Sequence, residues 1–194
     1  MLNKVKALLL IVAVTFVSGC ATQGANYEPT ANNTRLIEQS VDAQVGVGEF
    51  TKDASSTLIE DPWEFRGATK IESPVGDGYD DFVAKAVQDE LLLAMRYSDD
   101  SDVQITGEML EHKMSTGSLS IGEGSVAFIF RVEKDGDAVY QTQKRVTHKW
   151  DSAFVGVTAS INAYRGHLVM VEKLISALFT DRNFTNAIND AASD

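Results

Sequence analysis

The dipeptide Asp135-Gly136 constrains this chain most, because it stands between two runs that each read as a long strand. Val126 to Val132 is an almost continuous apolar stretch containing Phe128, Ile129 and Phe130, whereas Ala138 to Trp150 carries Gln141, Gln143, Arg145, Thr147 and Lys149 at alternate positions. A two-residue Asp-Gly loop accepts positive φ at both positions and closes a tight antiparallel hairpin. Upstream, Val103, Ile105, Gly107 and Met109 alternate with Gln104, Thr106 and Glu108, the pattern of a strand with one wet face. Leu110 interrupts the alternation, which predicts a bulge near Met109. The three runs form a meander, with Ser118 to Glu123 also strand-like.

Helical periodicity flanks this meander. Phe82, Val83, Ala86, Val87, Leu91, Ala94 and Met95 share one side of a predicted helix from near Tyr79 to near Tyr97, with Lys85, Gln88, Asp89 and Arg96 opposite. Asp77 is its expected cap, and Asp80 and Asp81 suit the positive end of its dipole. A last helix, Ser160 to Phe179, places Ile161, Tyr164, Leu168, Val171, Leu174, Ile175 and Leu178 on one side; Gly166 weakens it by up to about 1 kcal/mol relative to Ala. Val45, Val47 and Phe50 read as a first short strand, Thr69 to Glu72 as an edge strand, and Trp63 and Phe65 as core residues. The order is strand, helix, three or four strands, helix. It describes an α+β fold, a mostly antiparallel sheet with two main helices on one face.

The N-terminus is built differently. Lys4 and Lys6 precede an apolar stretch from Leu8 to Val17, and Val17-Ser18-Gly19-Cys20 closes it with small residues around the sole cysteine. The stretch is shorter than the roughly 20 residues that cross a bilayer, and it has the layout of a secretory signal. Val17-Ser18-Gly19-Cys20 resembles a bacterial lipobox, which implies removal of residues 1–19 and linkage of the Cys20 thiol to diacylglycerol. An acylated Cys20 leaves no thiol for a disulfide, so the fold must hold by burial alone. Acyl chains contribute about 0.8 kcal/mol per buried methylene, and a firm anchor needs more than one chain. In lipoproteins of this kind an Asp after the cysteine favours the inner membrane; here Ala21 and Thr22 follow, implying the outer membrane, facing the periplasm.

Residues 20–40, rich in Gly, Ala, Asn, Thr and Gln, read as the lipidated cysteine and a flexible tether, and residues 41–194 as one periplasmic domain. Removing residues 1–19 takes away two lysines and no acid, leaving 15 basic against 28 acidic side chains, a net of −13. So acidic a body is repelled by nucleic acid and by anionic head groups. The pattern Val45 to Asp53, the helix Phe82 to Tyr97, the hairpin at Asp135-Gly136 and Leu174 to Phe184 resemble the small periplasmic lipoproteins of the YajG type. More distantly they resemble the LptE-like lipoproteins that plug or assist outer-membrane barrels. The resemblance implies a membrane-tethered, non-catalytic domain with no catalytic residues to carry over.

The residues that bear chemistry do not assemble in the sequence. Asp99, Asp100 and Asp102 lack the alternation, glycine and terminal Glu of a calcium loop. His112, His148 and His167 have no partner at zinc-ligand spacing and read as surface or strand-edge residues. Ser152, His148 and Asp151 are too close in sequence for a catalytic triad and lack a nucleophile elbow. Gly117, Gly122 and Gly124 do not sit between a strand and a helix, as a phosphate loop requires. The reading is therefore a non-enzyme with no metal and no cofactor. Lys144, Arg145, His148, Lys149 and Trp150 form the candidate partner-binding strand; the plainer reading of the same strand is a solvent face on which Gln141, Gln143, Arg145, Thr147 and Lys149 meet water. Phe154, within the apolar segment 151–160, either docks on the core or meets a partner. The expected partners are an envelope protein, or a second copy in a homo-oligomer, and the membrane through Cys20. The other reading is a periplasmic binding protein or sensor that holds a small apolar or anionic ligand between sheet and helices; a roomy apolar pocket there would favour it.

Overall fold

The computed structural model describes residues 22–193, so the lipobox and Cys20 lie outside the described residues. Its centre is a four-stranded sheet in the order β2, β5, β6, β7, where β2 is Gly46–Lys52, β5 Val103–Ser115, β6 Ile121–Lys134 and β7 Asp137–Asp151. The last three strands are antiparallel neighbours, and β2 joins β5 in parallel. The hairpin closes at Asp135 and Gly136, with φ of 52° and 89°, and Lys134 pairs with Asp137. The bulge falls between Met109 and Glu111, where the register with β6 shifts by the extra Leu110. That insertion lets His112 and Met114 continue the inward row begun by Val103, Ile105 and Met109. Ser118 to Ser120 lie in a loop, so β6 starts later than its alternation suggests.

Two long helices cover one face: α2, Tyr79–Leu93, against β2 and β5, and α3, Gly156–Phe179, against β6 and β7. Phe50, Phe128, Phe130, Ile105, Leu91, Leu174 and Leu178 make the shared core. α3 starts one turn earlier than its periodicity predicts. Gly166 is its seat for Trp150: a Cβ on Gly166 or on Gly122 would collide with the indole.

Two helices were not legible in the sequence. α1, Ala31–Ser40, lies inside the segment read as a tether, yet Ile37 and Asn33 are fully buried and Thr30 caps it by accepting from the Asn33 amide at 3.3 Å. Folded structure therefore begins before residue 41. α4, Arg182–Ser193, closes the chain and buries Phe184 and Ile188. A small second sheet, β1 (Thr22–Gln23), β4 (Thr69–Glu72) and β3 (Trp63–Phe65), places the N-terminal residues: Thr22 pairs with Ile71 in parallel.

Candidate interaction surfaces

The sheet has two distinct ends, about 40 Å apart for strands of this length. At one end, here called proximal, lie the C-terminus of β5, the start of β6, the end of β7 and the start of α3. At the other, distal end lie the hairpin Asp135-Gly136 and the C-terminus of α2, since Val45 at the head of β2 hydrogen-bonds Arg96 and Ser98 through its backbone.

The sequence-derived cationic strand is not one patch. Lys144, His148 and Trp150 point to the helix-covered side, paired in register with Phe128, Gly124 and Gly122, while Arg145 and Lys149 point to the open side. Lys144 meets Asp181 at 2.6 Å, Arg145 meets Glu111 at 2.6 Å, and Lys149 meets Glu123 at 3.3 Å. His148 Nδ1 lies 3.0 Å from Lys173 Nζ, and its ring is tilted against Trp150 at 6.3 Å. Burial and the Lys173 charge lower the His148 pKa. Asp151 is exposed and Ser152 is 3.5 Å from the Arg66 guanidinium, so these two do not converge with His148 on a triad. Phe154 stands apart from the strand, 79 % exposed.

His112 and His167 are buried rather than surface residues. Fifty-five positions apart, their Nε2 atoms meet at 3.1 Å, and His112 Nδ1 lies 2.8 Å from the Glu60 carbonyl. With Nδ1–H donated to that carbonyl, His112 Nε2 accepts and His167 Nε2–H donates, so both rings are neutral. Burial lowers both pKa values, that of His167 strongly, and the repulsion a protonated His112 would exert lowers that of His167 further. Tyr79 stacks on His112 at 4.5 Å, and its hydroxyl accepts from Trp63 Nε1 at 2.9 Å. Beside it, Lys52 reaches Asp61 at 2.8 Å and Asp80 at 3.4 Å. Burial works against the Lys52 charge, but Asp61 and then Asp80 outweigh it and raise its pKa. Asp61, not Asp77, caps α2, accepting from the Tyr79 amide at 2.9 Å. This network is a structural floor under the proximal end. Among the described residues no group of three or more His, Cys, Asp or Glu side chains is arranged to hold a metal ion.

Exposed apolar surface gathers at both ends. Proximally, Leu119, Ile121, Phe154, Val155, Val157 and Ile161 are all exposed. Arg66 braces the loop that carries Phe154 and Val155: its guanidinium donates to the carbonyl of Phe154 at 3.3 Å and to that of Ala153. Distally, Leu92, Leu93 and Met95 are exposed within four residues, Met95 at 73 %. Met95 has φ of 55° and sits in a Schellman turn, in which the Arg96 amide donates to Leu91 at 2.8 Å and the Met95 amide to Leu92 at 3.1 Å. Glycine is the usual residue there, so a methionine costs backbone energy without being buried.

Among the described residues the larger hollows are surface grooves. One of about 730 Å³ is lined by Glu60, Asp61, Glu64 and Arg66, and one of about 830 Å³ by Tyr27, Glu28, Tyr164, Arg165 and Glu172. Above the second, fully buried Glu90 accepts from the Tyr27 hydroxyl at 2.6 Å and the Thr30 amide at 2.9 Å, clasping the N-terminal segment onto α2.

These features define a small α+β domain that presents apolar surface at both ends of its sheet. No protein-family model and no curated protein sequence matches the chain. Among solved structures it is similar to a Xanthomonas campestris protein grouped in the DUF330 family, at 11 % identity over 86 % of this chain and 99 % of that one, with a TM-score of 0.53. It is also similar to a Caulobacter crescentus protein assigned as a lipoprotein, at 15 % identity over 52 % of this chain and 80 % of that one, with a TM-score of 0.42. A third likeness is to a minor lipoprotein of Acinetobacter baumannii, at 10 % identity over 75 % of this chain and 93 % of that one, with a TM-score of 0.41. The Xanthomonas likeness establishes a shared overall fold. No helix among the described residues is long and apolar enough to cross a membrane.

Proposed function

We propose that this chain is a bacterial outer-membrane lipoprotein, held by acylated Cys20 and facing the periplasm. Its domain acts by binding, as a structural, assembly or accessory component of an envelope complex. The observation that carries the reading is the distal cluster Leu92, Leu93 and Met95, with Met95 held outward in a left-handed conformation. Scattered exposed apolar residues are ordinary, but three within four positions, one at a backbone cost, suit a protein-binding surface. The ionisable side chains support a non-catalytic role: two of three histidines are packed into the core, and the cations of β7 are paired or held beside other side chains. The larger hollows among the described residues are surface grooves lined in part by charged side chains, which favours docking over holding a small apolar ligand.

A photoreactive residue at Met95 in intact cells tests the binding reading. The expected result is a discrete adduct with one envelope protein, absent when the probe is at Gln143 on the open sheet face. The same abundant bystanders from both positions would overturn it. Cys20→Ser tests the anchor separately and is expected to release the protein into the soluble periplasmic fraction; a variant that stayed with the membrane would sink the lipoprotein reading.

A further inference from the structure

The proximal apolar tip lies where the N-terminal chain comes in. Thr22 pairs with Ile71 and Gln23 with Glu72 in parallel, so Thr22 lies at the end of β1 that faces the β3–β4 turn. That turn contains Arg66, whose guanidinium holds the carbonyls of Ala153 and Phe154. The loop before β6 is tied to the same place, since the Ser152 amide donates to Ser120 at 2.8 Å. Only Ala21 separates Thr22 from Cys20, and two peptide units reach no further than about 7 Å. An acylated Cys20 therefore brings the leaflet surface against this end of the domain, with no long tether between them.

Resting on the lipid-anchor reading, we propose that the tip of Leu119, Ile121, Phe154, Val155, Val157 and Ile161 docks on the leaflet that carries the Cys20 acyl chains. Three observations support this occupant. Thr22, two positions after Cys20, is held in the small sheet whose β3–β4 turn carries Arg66. Phe154 and Val155 are 79 % and 61 % exposed on a loop braced by Arg66, and Val157, 72 % exposed, sits in the first turn of α3 that follows, so they are presented rather than loosely folded. Without residues 1–19 the chain carries 15 basic and 28 acidic side chains, a net charge of −13, so apolar insertion, not attraction to anionic lipid, is the contact available to it. Docking turns a pivot at one residue into a contact with two supports and points Met95 into the periplasm.

The test uses the full chain, lipidated in its host and purified into phosphatidylethanolamine vesicles that contain a trace of phosphatidylglycerol. A fluorescent NBD group is placed on Phe154→Cys or, for comparison, on Met95→Cys; both sites are exposed, so the fold is spared. The expected result is a blue-shifted, several-fold brighter label at position 154 that brominated lipid quenches and high salt leaves unchanged. The label at position 95 stays aqueous. If the protein floats with the vesicles while the label at 154 stays aqueous, the tip proposal falls and the anchor stands. Protection at 154 without quenching by brominated lipid marks contact between copies and also overturns it. If the chain does not float with the vesicles, the anchor reading fails and the proposal goes with it.

Discussion

The two ends of the sheet both expose apolar side chains, but they hold them in different ways. The proximal tip stands on a buried polar floor drawn from distant segments: Lys52 with Asp61 and Asp80, His112 with His167, and Tyr79 with Trp63. The distal cluster stands on a single helix end, fixed by the two backbone hydrogen bonds of its Schellman turn. A surface set by long-range contacts keeps its orientation relative to the whole domain. One set by a local cap keeps only its own backbone shape, and it tolerates change while another protein completes it.

Breaking the floor should give the largest effect. A Cβ at Gly78 would collide with Lys52 Nζ and with the carboxylates of Asp61 and Asp80, all of them fixed by one another. Gly78→Ala is expected to cost about 3 kcal/mol in chemical denaturation, because overpacking here also separates buried charges. A loss smaller than that of an ordinary surface substitution would show that the floor yields and does not set the tip.

Acid should loosen the same end with a moderate effect. His112 and His167 are neutral in the fold, with pKa values below the ordinary 6.5. Below pH 6.5 the unfolded chain takes up protons that the folded chain refuses, so their contribution is complete above that pH and is lost as pH falls. Stability should drop by about 2 kcal/mol between pH 7 and pH 5, where few carboxylates titrate. His148, also shifted down, adds to the loss. His167→Phe, beside Phe82 and Tyr79, should flatten the profile; an unchanged slope would locate the titration elsewhere.

The distal end should respond least in stability and most in binding. Met95→Gly relieves a left-handed side chain that is largely exposed, so thermal unfolding should show stability unchanged or raised by up to about 1 kcal/mol. In the same cells, truncating Leu92 and Leu93 to Ala should remove the partner adduct formed by a probe at Met95. A clear loss of stability in Met95→Gly would mean that Met95 serves the fold, and the contrast between the two ends would disappear.

Much of the fold was legible because its signals are local. Asp135-Gly136 fixes a hairpin through its own φ preference, Leu110 marks the bulge by breaking an alternation, and Phe82 to Leu91 shows a helical stripe. α1 was missed because ANNTRLIEQS offers few apolar residues and draws its stability from burying Ile37 and Asn33 under α3, whose Glu172 carbonyl accepts from the Asn33 side chain at 3.1 Å. The cations of β7 divide as the alternation of their strand implies. Adjacent residues of a strand point to opposite faces, so Lys144 and Arg145 serve different carboxylates on different sides of the sheet.

By itself the sequence determined the α+β class, the meander and its turn, the two long helices and the lipobox-like cysteine, since periodicity and turn chemistry act over a few residues. Only the tertiary structure brought His112 to His167, Glu90 to Tyr27 and Thr30, and the incoming chain to the end of the domain that carries Phe154. Those meetings join residues 55, 63 and 60 positions apart or depend on which strands become neighbours. They are decided by burying one shared core, a property of the whole chain that no local pattern records.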